Sequence, residues 1–161
     1  MIERVVTGDE LRTTMRRLSA PICVVTVDFE GDRLGLTVGS LVSLSLEPPL
    51  VGISIGNQQA AHALIRGAGT FAVSLLSGRQ DALARHFAHG VPPLAMWHGV
   101  ELAPGGVGRR LAGALAWLDC RVWAEYDAGD HTLFVGEVTD AELGEPGPGL
   151  VYRGSTYEAV P

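Results

Sequence analysis

Apolar runs in this chain are short, rich in β-branched residues, and stopped abruptly by glycine, proline or aspartate. Ile22 to Val27 is the first, and it predicts a buried strand. Asp28 to Arg33 carries turn residues, and Leu34 to Leu41 follows as the second arm of a hairpin. Ser43-Leu-Ser-Leu-Glu-Pro-Pro then leaves regular structure, because Pro48 and Pro49 cannot donate to a sheet ladder. Further strands are expected at Leu50–Ile55 and Thr70–Leu76. Trp117–Tyr126 and His131–Ala141 form a hairpin around Asp127-Ala-Gly-Asp130, and the tail from Leu150 supplies one last short strand.

Helical signals are few and local. Thr7-Gly8-Asp9-Glu10 has capping-box spacing and predicts a helix over 8–18, with Arg16 and Arg17 near its end. Asn57 reads as the N-cap of a short helix through Arg66, ended by Gly67. Ser77-Gly-Arg-Gln80 repeats the capping-box pattern before a helix through about His89. The stretch 90–110, with Trp97 and His98, reads as a functional or covering loop. Strands dominate, so a mainly β barrel with short peripheral helices is the natural packing. A length of 161 residues fits one domain, 1–161, with no repeat or linker to divide it.

Composition excludes several function classes. Apolar residues make up 47% and charged ones 19%, the balance of a folded chain rather than a disordered one. No run approaches the roughly 18 apolar residues of a membrane span, and the first 17 residues lack the apolar core of a secretory signal, so the expected compartment is the cytoplasm. Cys23 and Cys120, far apart in apolar stretches, read as reduced buried thiols. The formal net charge is −6, and all twelve cationic side chains are arginines. That surface repels a phosphate backbone, so nucleic acid is not an expected partner. Without lysine there is neither Schiff-base chemistry nor a P-loop.

Some motifs imitate chemistry they cannot perform. Gly35-Leu-Thr37-Val-Gly39 resembles a nucleophile elbow, but it lies inside a strand with no helix after it. His86 and His89 share a helical face near His98, yet no Glu or Cys completes a ligand set, so no metal is expected. Glycines never form G-x-G-x-x-G between strand and helix, which excludes a Rossmann domain. What remains is a hydroxyl-rich stretch, Thr37, Ser40, Ser43 and Ser45, in otherwise apolar surroundings with Gly39 among them. Such alternation marks the wet face of a strand, and it also suits a flat polar ring or a phosphate bound without lysine. The helix start near Asn57-Gln58-Gln59 offers free N–H groups to an anion.

These pieces, taken in order, resemble the flavin reductase family, the small components that feed reduced flavin to two-component monooxygenases. The resemblance rests on Pro21 to Val27, Gly35-Leu-Thr-Val-Gly-Ser40, Ser43-Leu-Ser-Leu-Glu-Pro-Pro-Leu50 and Phe71-Ala-Val-Ser-Leu-Leu76. It continues through Gln80 to Ala88, Trp117-Leu-Asp-Cys120, Gly129-Asp-His-Thr-Leu-Phe-Val-Gly-Glu-Val138, and Tyr152-Arg-Gly154 with Tyr157. It implies an FMN-binding split β-barrel of Greek-key type, a homodimer, FMN or FAD as flavin, and NADH or NADPH as hydride donor. It also implies that Thr37, Val38, Gly39 and Ser40 line the flavin ring, largely through backbone groups, and that Ser43, Leu44, Gln58 and Gln59 hold the ribityl-phosphate side. His86, Phe87 and Ala88 add further flavin contacts, and His131 of the Gly-Asp-His motif lies beside the nicotinamide. Gly39 stands where the family's Thr-x-Asn-Ser pattern has asparagine.

The expected activity is therefore hydride transfer from nicotinamide to flavin, with reduced flavin passed to a monooxygenase. The alternatives are a flavoprotein acting on its own organic substrate, and a flavin-binding module without turnover. Trp117 and Trp123, on one strand face with Asp119, Arg121 and Glu125, are expected to form an outer surface suited to a second copy, the alternative being that the long 90–110 connection folds over them.

Overall fold

A computed structural model of the chain describes residues 4–161. In chain order the elements are α1 (Gly8–Met15), β1 (Ala20–Pro21), β2 (Cys23–Phe29), β3 (Asp32–Val38), β4 (Val42–Leu46), β5 (Pro49–Gly56), α2 (Ala60–Ala68) and β6 (Thr70–Leu75). They continue with α3 (Asp81–Ala88), α4 (Pro93–Met96), β7 (Leu102–Ala103), β8 (Arg110–Leu111), β9 (Ala116–Ala128), β10 (His131–Leu143), β11 (Gly149–Arg153) and β12 (Thr156–Val160). Seven strands form one antiparallel sheet in the order β3-β2-β6-β9-β10-β5-β4, and β1, β11 and β12 form a smaller sheet. The mainly β class and the short helices agree with the sequence.

Turn chemistry fixes the hairpins. β2 turns into β3 through Glu30 and Gly31, both with positive φ (51° and 92°), the geometry that matches strand twist in a two-residue turn. The β9–β10 turn is Gly129-Asp130, tighter than expected, so both strands run longer than their apolar patterns suggest. Val42–Leu46 is a strand and not irregular chain: it pairs with β5 as an outer edge, where Pro49 costs no interior ladder bond.

Helix boundaries also moved. α1 has the capping box at Thr7 and Glu10 but ends at Met15, three residues early. α2 starts at Ala60 with Gln59 as N-cap, and Gly69, not Gly67, closes it in the left-handed region. Asn57 instead bonds into the β9–β10 turn. Of the second capping box only one half forms: Gln80 Oε1 accepts from Ser77 N–H at 2.9 Å. Among the described residues no helix is long and apolar enough to cross a membrane.

The core lies inside the curl of the large sheet. Phe71, Phe134, Ile53, Ile55, Ile65, Val25 and Val73 are buried there, each contributing roughly 1.5–3 kcal/mol by leaving water. The 90–110 segment covers the sheet's outside, as a covering loop should. Thr26 Oγ1 donates to Arg109 O at 2.9 Å, and a Cβ at Gly108 would fall 2.9 Å from Thr26 Oγ1, so only glycine permits the approach. This cover overturns the expectation that Trp117 and Asp119 are exposed. Trp117 Nε1 donates to Leu111 O at 2.9 Å, and buried Asp119 accepts from Arg110 at 2.7 Å. Trp123 stays 56% exposed, but β9 bulges there, between the pairs Val135↔Ala124 and Gly136↔Val122. The two tryptophans therefore do not share a surface.

Cys23 and Cys120 are free buried thiols. Burial pushes both up to about 12 from 9.0, and the charge of Asp119 adds to the effect at Cys120. The unfolded chain loses these protons near pH 9.0 while the folded chain keeps them to about 12. Their stabilisation is thus complete below pH 9 and lost as pH rises toward 12. Denaturant midpoints measured across this window should fall more steeply for the native chain than for Cys23→Ala/Cys120→Ala. Equal slopes would show that the thiols do not titrate differently in the two states.

Candidate active site

β3 is an edge of the large sheet, so alternate N–H and C=O groups of Leu36 to Val38 have no ladder partner there. The sheet curls far enough for the exit of β3 to reach β5, five strands away in the pairing order. Ser40 Oγ accepts from Ser54 N at 3.0 Å and donates to Ser54 O at 3.3 Å. A cleft of about 270 Å³ opens between these elements, lined by Leu36 to Ser40, Ser54, Gly56, Gln59 and His131. Leu36 and Gln59 also line a second, more apolar cavity of about 370 Å³ that runs on past Phe87, Ala88 and Met96.

Two strand ends meet at the polar end. His131 opens β10 directly opposite Gly56, the last residue of β5. His131 Nδ1 donates to Asp130 Oδ1 at 2.7 Å, which leaves Nε2 for the cleft. A Cβ at Gly56 would sit 3.3 Å from Gln59 Cγ and 3.8 Å from His131 Nε2. The missing side chain keeps the gap between those two groups open. The hydrogen bond from His131, followed by its charge, holds the Asp130 carboxyl below its ordinary value of 3.8. Asp130 is therefore ionised at neutral pH and orients the imidazole.

A relay running from the surface at Asn57 to buried Thr132 and His62 fixes this corner. Asn57 N and Nδ2 donate to Asp130 O (2.9 Å) and Gly129 O (3.3 Å), tying the β5–α2 turn to the β9–β10 turn. Thr132 Oγ1 donates to Asn57 Oδ1 at 2.8 Å, so His62 Nε2, 2.8 Å from the same hydroxyl, must be the donor to it. His62 is buried with its ring edge on Phe134 at 5.2 Å.

Thr37, Val38, Gly39, Ser40, Gln59 and His131 are thus brought together, and Phe87 and Ala88 line the adjoining cavity. Ser43 and Leu44 sit on exposed edge strand β4, and Gln58 lies in the turn before α2; none of the three lines either cavity. His86 donates to Met96 O at 2.7 Å and serves to hold α4. Two of the hydroxyls are also committed: Thr37 Oγ1 donates to Ala84 O at 2.7 Å, and Ser40 bridges to β5. A side chain at Gly39 would press on Ala20 Cβ at 3.1 Å, so the glycine lets β3 end against β1. Sequence reasoning missed Gly56, Ser54, Asn57 as a brace, and His62. The signal for Gly56 was a glycine closing an apolar strand immediately before Asn57-Gln58-Gln59. An open backbone edge, a glycine gap and an apolar continuation together fit a flat heteroaromatic ring with a polar rim.

Replacing Thr132 by valine removes the acceptor of buried His62 and the donor to Asn57. Thr132→Val should cost about 1–3 kcal/mol in urea unfolding, with faster hydrogen exchange at residues 129–131. Unchanged exchange there would show that the relay does not hold the turn.

Comparisons with known proteins point the same way. The family model described as "Flavin reductase like domain" matches residues 15–161. The reductase component of 4-hydroxyphenylacetate 3-monooxygenase from Thermus thermophilus is 40% identical over 152 residues, covering 94% of this chain and 96% of that protein. An NADH-dependent FAD reductase from Streptomyces globisporus is 36% identical, over 92% of this chain and 83% of its own length. Among solved structures, the flavin reductase component of a bacterial two-component tryptophan halogenase superposes with a TM-score of 0.89 at 31% identity, covering 96% and 99% of the two chains. The match spans both walls of the cleft and the sheet that curls them together, and the chain belongs to the flavin reductase like family.

Proposed function

We propose that this protein is an NADH-dependent flavin reductase that supplies reduced flavin to a partner monooxygenase, working as a homodimer in the cytoplasm. The observation that carries the reading is the meeting of His131, Gln59 and the open edge of β3 in one cleft beside an apolar cavity. Relatives named as NADH-dependent FAD and flavin reductases support NADH as the donor. Two free thiols support a reducing compartment.

When bound, nicotinamide supplies a hydride and flavin accepts it, so the chain's task is geometry and exclusion of water. The backbone of Thr37 to Gly39 holds the ring edge, and Gln59 addresses its polar rim. Leu34, Leu36, Phe87 and Met96 keep the neighbouring cavity dry. His131, oriented by ionised Asp130, presents Nε2 to the nicotinamide. The Asn57–Thr132–His62 relay holds that imidazole in place. Ser43 and Leu44 are too far along β4 to share this cleft, and their role on the phosphate side requires a ligand that extends over the sheet edge.

The dimer rests on a different patch from the one the tryptophans suggested. Val42, Leu44 and Leu133 converge over Gly52, within 3.1–3.3 Å of where its Cβ would stand. Tyr126 pairs opposite Leu133 on β9, and Val42 and Leu44 are each 46% exposed, Tyr126 58%. A continuous apolar sheet face of this kind fits a second copy. Light scattering should give twice the 17.0 kDa chain mass, and a single-chain mass at micromolar concentration would remove the dimer.

Stopped-flow absorbance of the oxidised flavin tests the reaction itself. His131→Ala should slow flavin reduction by NADH roughly 10- to 100-fold and leave flavin affinity nearly intact. A variant reducing flavin at the native rate would leave His131 as the residue that opens a strand and nothing more.

A further inference from the structure

The covering segment 90–110 grips the edge hairpin near both of its ends, and the two grips meet in one column of side chains. Trp97, directly after α4, donates from Nε1 to Arg33 O of β3 at 3.0 Å. Arg109, near the far end of the segment, accepts at its carbonyl from Thr26 of β2 and lays its guanidinium over the Trp97 ring at 5.0 Å. The same indole packs on Phe87 of α3, with ring centroids 5.3 Å apart and planes tilted by 53°. Asp28, Arg109, Trp97 and Phe87 therefore form a column from the outside of β2 to the apolar cavity that adjoins the cleft.

Phe87 is enclosed on every side but that of the cavity. It lies against β3, where a Cβ at Gly35 would fall 2.6 Å from Cδ1 and from Cε1. His86 meets its ring edge-on at 4.9 Å, and Trp97 backs it. Met96 is tied to the same strand, its Sδ accepting from Gly35 N at 3.1 Å. An outward shift of Trp97 would free Phe87 to leave Gly35 and would widen the cavity beside the β3 backbone. The clamp on Trp97 is electrostatic rather than a hydrogen bond. Arg109 Nε is buried without a hydrogen-bond partner, and Asp28 Oδ2, 3.8 Å away, is shared with Arg33 at the same distance. The neighbouring Arg110 meets Asp119 at 2.7 Å; Arg109 forgoes such a bond and keeps its place on the aromatic face.

We infer that Trp97, clamped by Arg109, is a positioning residue for flavin reduction: it holds Phe87 against β3 and so sets the width of the cavity beside the reacting rings. This rests on the flavin reductase reading and adds to it a side chain that lines neither the cleft nor the cavity. Hydride transfer is steeply sensitive to the placement of the two rings, so a loose wall costs rate even where flavin still binds.

Stopped-flow reduction by NADH at saturating flavin, compared among the native chain, Trp97→Leu, Phe87→Leu and the double variant, tests this. Trp97→Leu should slow reduction about tenfold. Because Trp97 acts through Phe87, the double variant should be no slower than Phe87→Leu alone, whereas two independent effects would multiply. Arg109→Met should reproduce part of the loss, and Arg109→Lys, which keeps a cation for the indole, should recover it. In the ligand-free proteins, amide exchange at Gly35 should quicken in Trp97→Leu as α4 loosens from β3. Native-rate reduction by Trp97→Leu, multiplied losses in the double variant, or unchanged exchange at Gly35 would overturn the proposal. Where Trp97→Leu does not fold, the Arg109 variants decide: Arg109→Met reducing flavin at the native rate, or Arg109→Lys no faster than Arg109→Met, would overturn it too. If the native chain reduces no flavin with NADH, the reductase reading fails by itself, and exchange at Gly35 still decides whether Trp97 holds the wall.

Discussion

The curl of the seven-stranded sheet is what everything else depends on. β3 stands at one edge of the pairing order and β5 is the sixth strand, yet Ser40 and Ser54 exchange two hydrogen bonds. A flat sheet would hold those residues some 25 Å apart at the usual strand spacing of about 4.8 Å. Right-handed twist and a core of Phe71, Phe134 and Ile53 draw the sheet round instead. The cleft is the gap left where the exit of β3 meets the ends of β5 and β10. Its floor is thus made of backbone from an edge that the fold needs to leave open, and its sides come from elements distant in sequence.

Much of this was legible before any coordinates. Runs such as Ile22–Val27 and Thr70–Leu76 have enough β-branched residues to announce strands, and the Gly-Asp-His turn marked His131. The helix start at Asn57 was not, because a capping residue is a local preference that a tertiary bond can override. Asn57 caps nothing; it braces two turns that lie 72 residues apart in sequence. Trp117 failed for a related reason. Alternation correctly put it on the outer face, and the fold decides for the alternative in which the 90–110 connection covers that face, through Arg110 and Leu111.

The hydroxyl stretch shows a subtler limit. The small hydroxyls of Thr37 and Ser40 suited a flat polar ring, the family resemblance set them along it largely through backbone groups, and both are indeed at the cleft. Their hydroxyls are engaged with Ala84 O and with Ser54, so they hold the walls together, and what the strand offers the cleft is its backbone edge. A small polar residue next to a site can be selected for either task, and the sequence reads alike in both. His62 was invisible for the complementary reason: a buried histidine whose partner is a threonine far along the chain gives no local pattern at all.

The unequal treatment of β10 by its two neighbours has a further meaning. Against β5 it pairs without a slip from His131 to Glu137, while against β9 it tolerates irregularities near Trp123 and Thr139. One flank is a ruler and the other a cushion. A residue gained or lost within β9 can be absorbed as a change of bulge, with the imidazole at the head of β10 still registered on Gly56. The same event in β5 would carry every side chain of that strand to the opposite face and dissolve the cleft. The histidine strand therefore leaves room for a change of length on its β9 side and none on its β5 side.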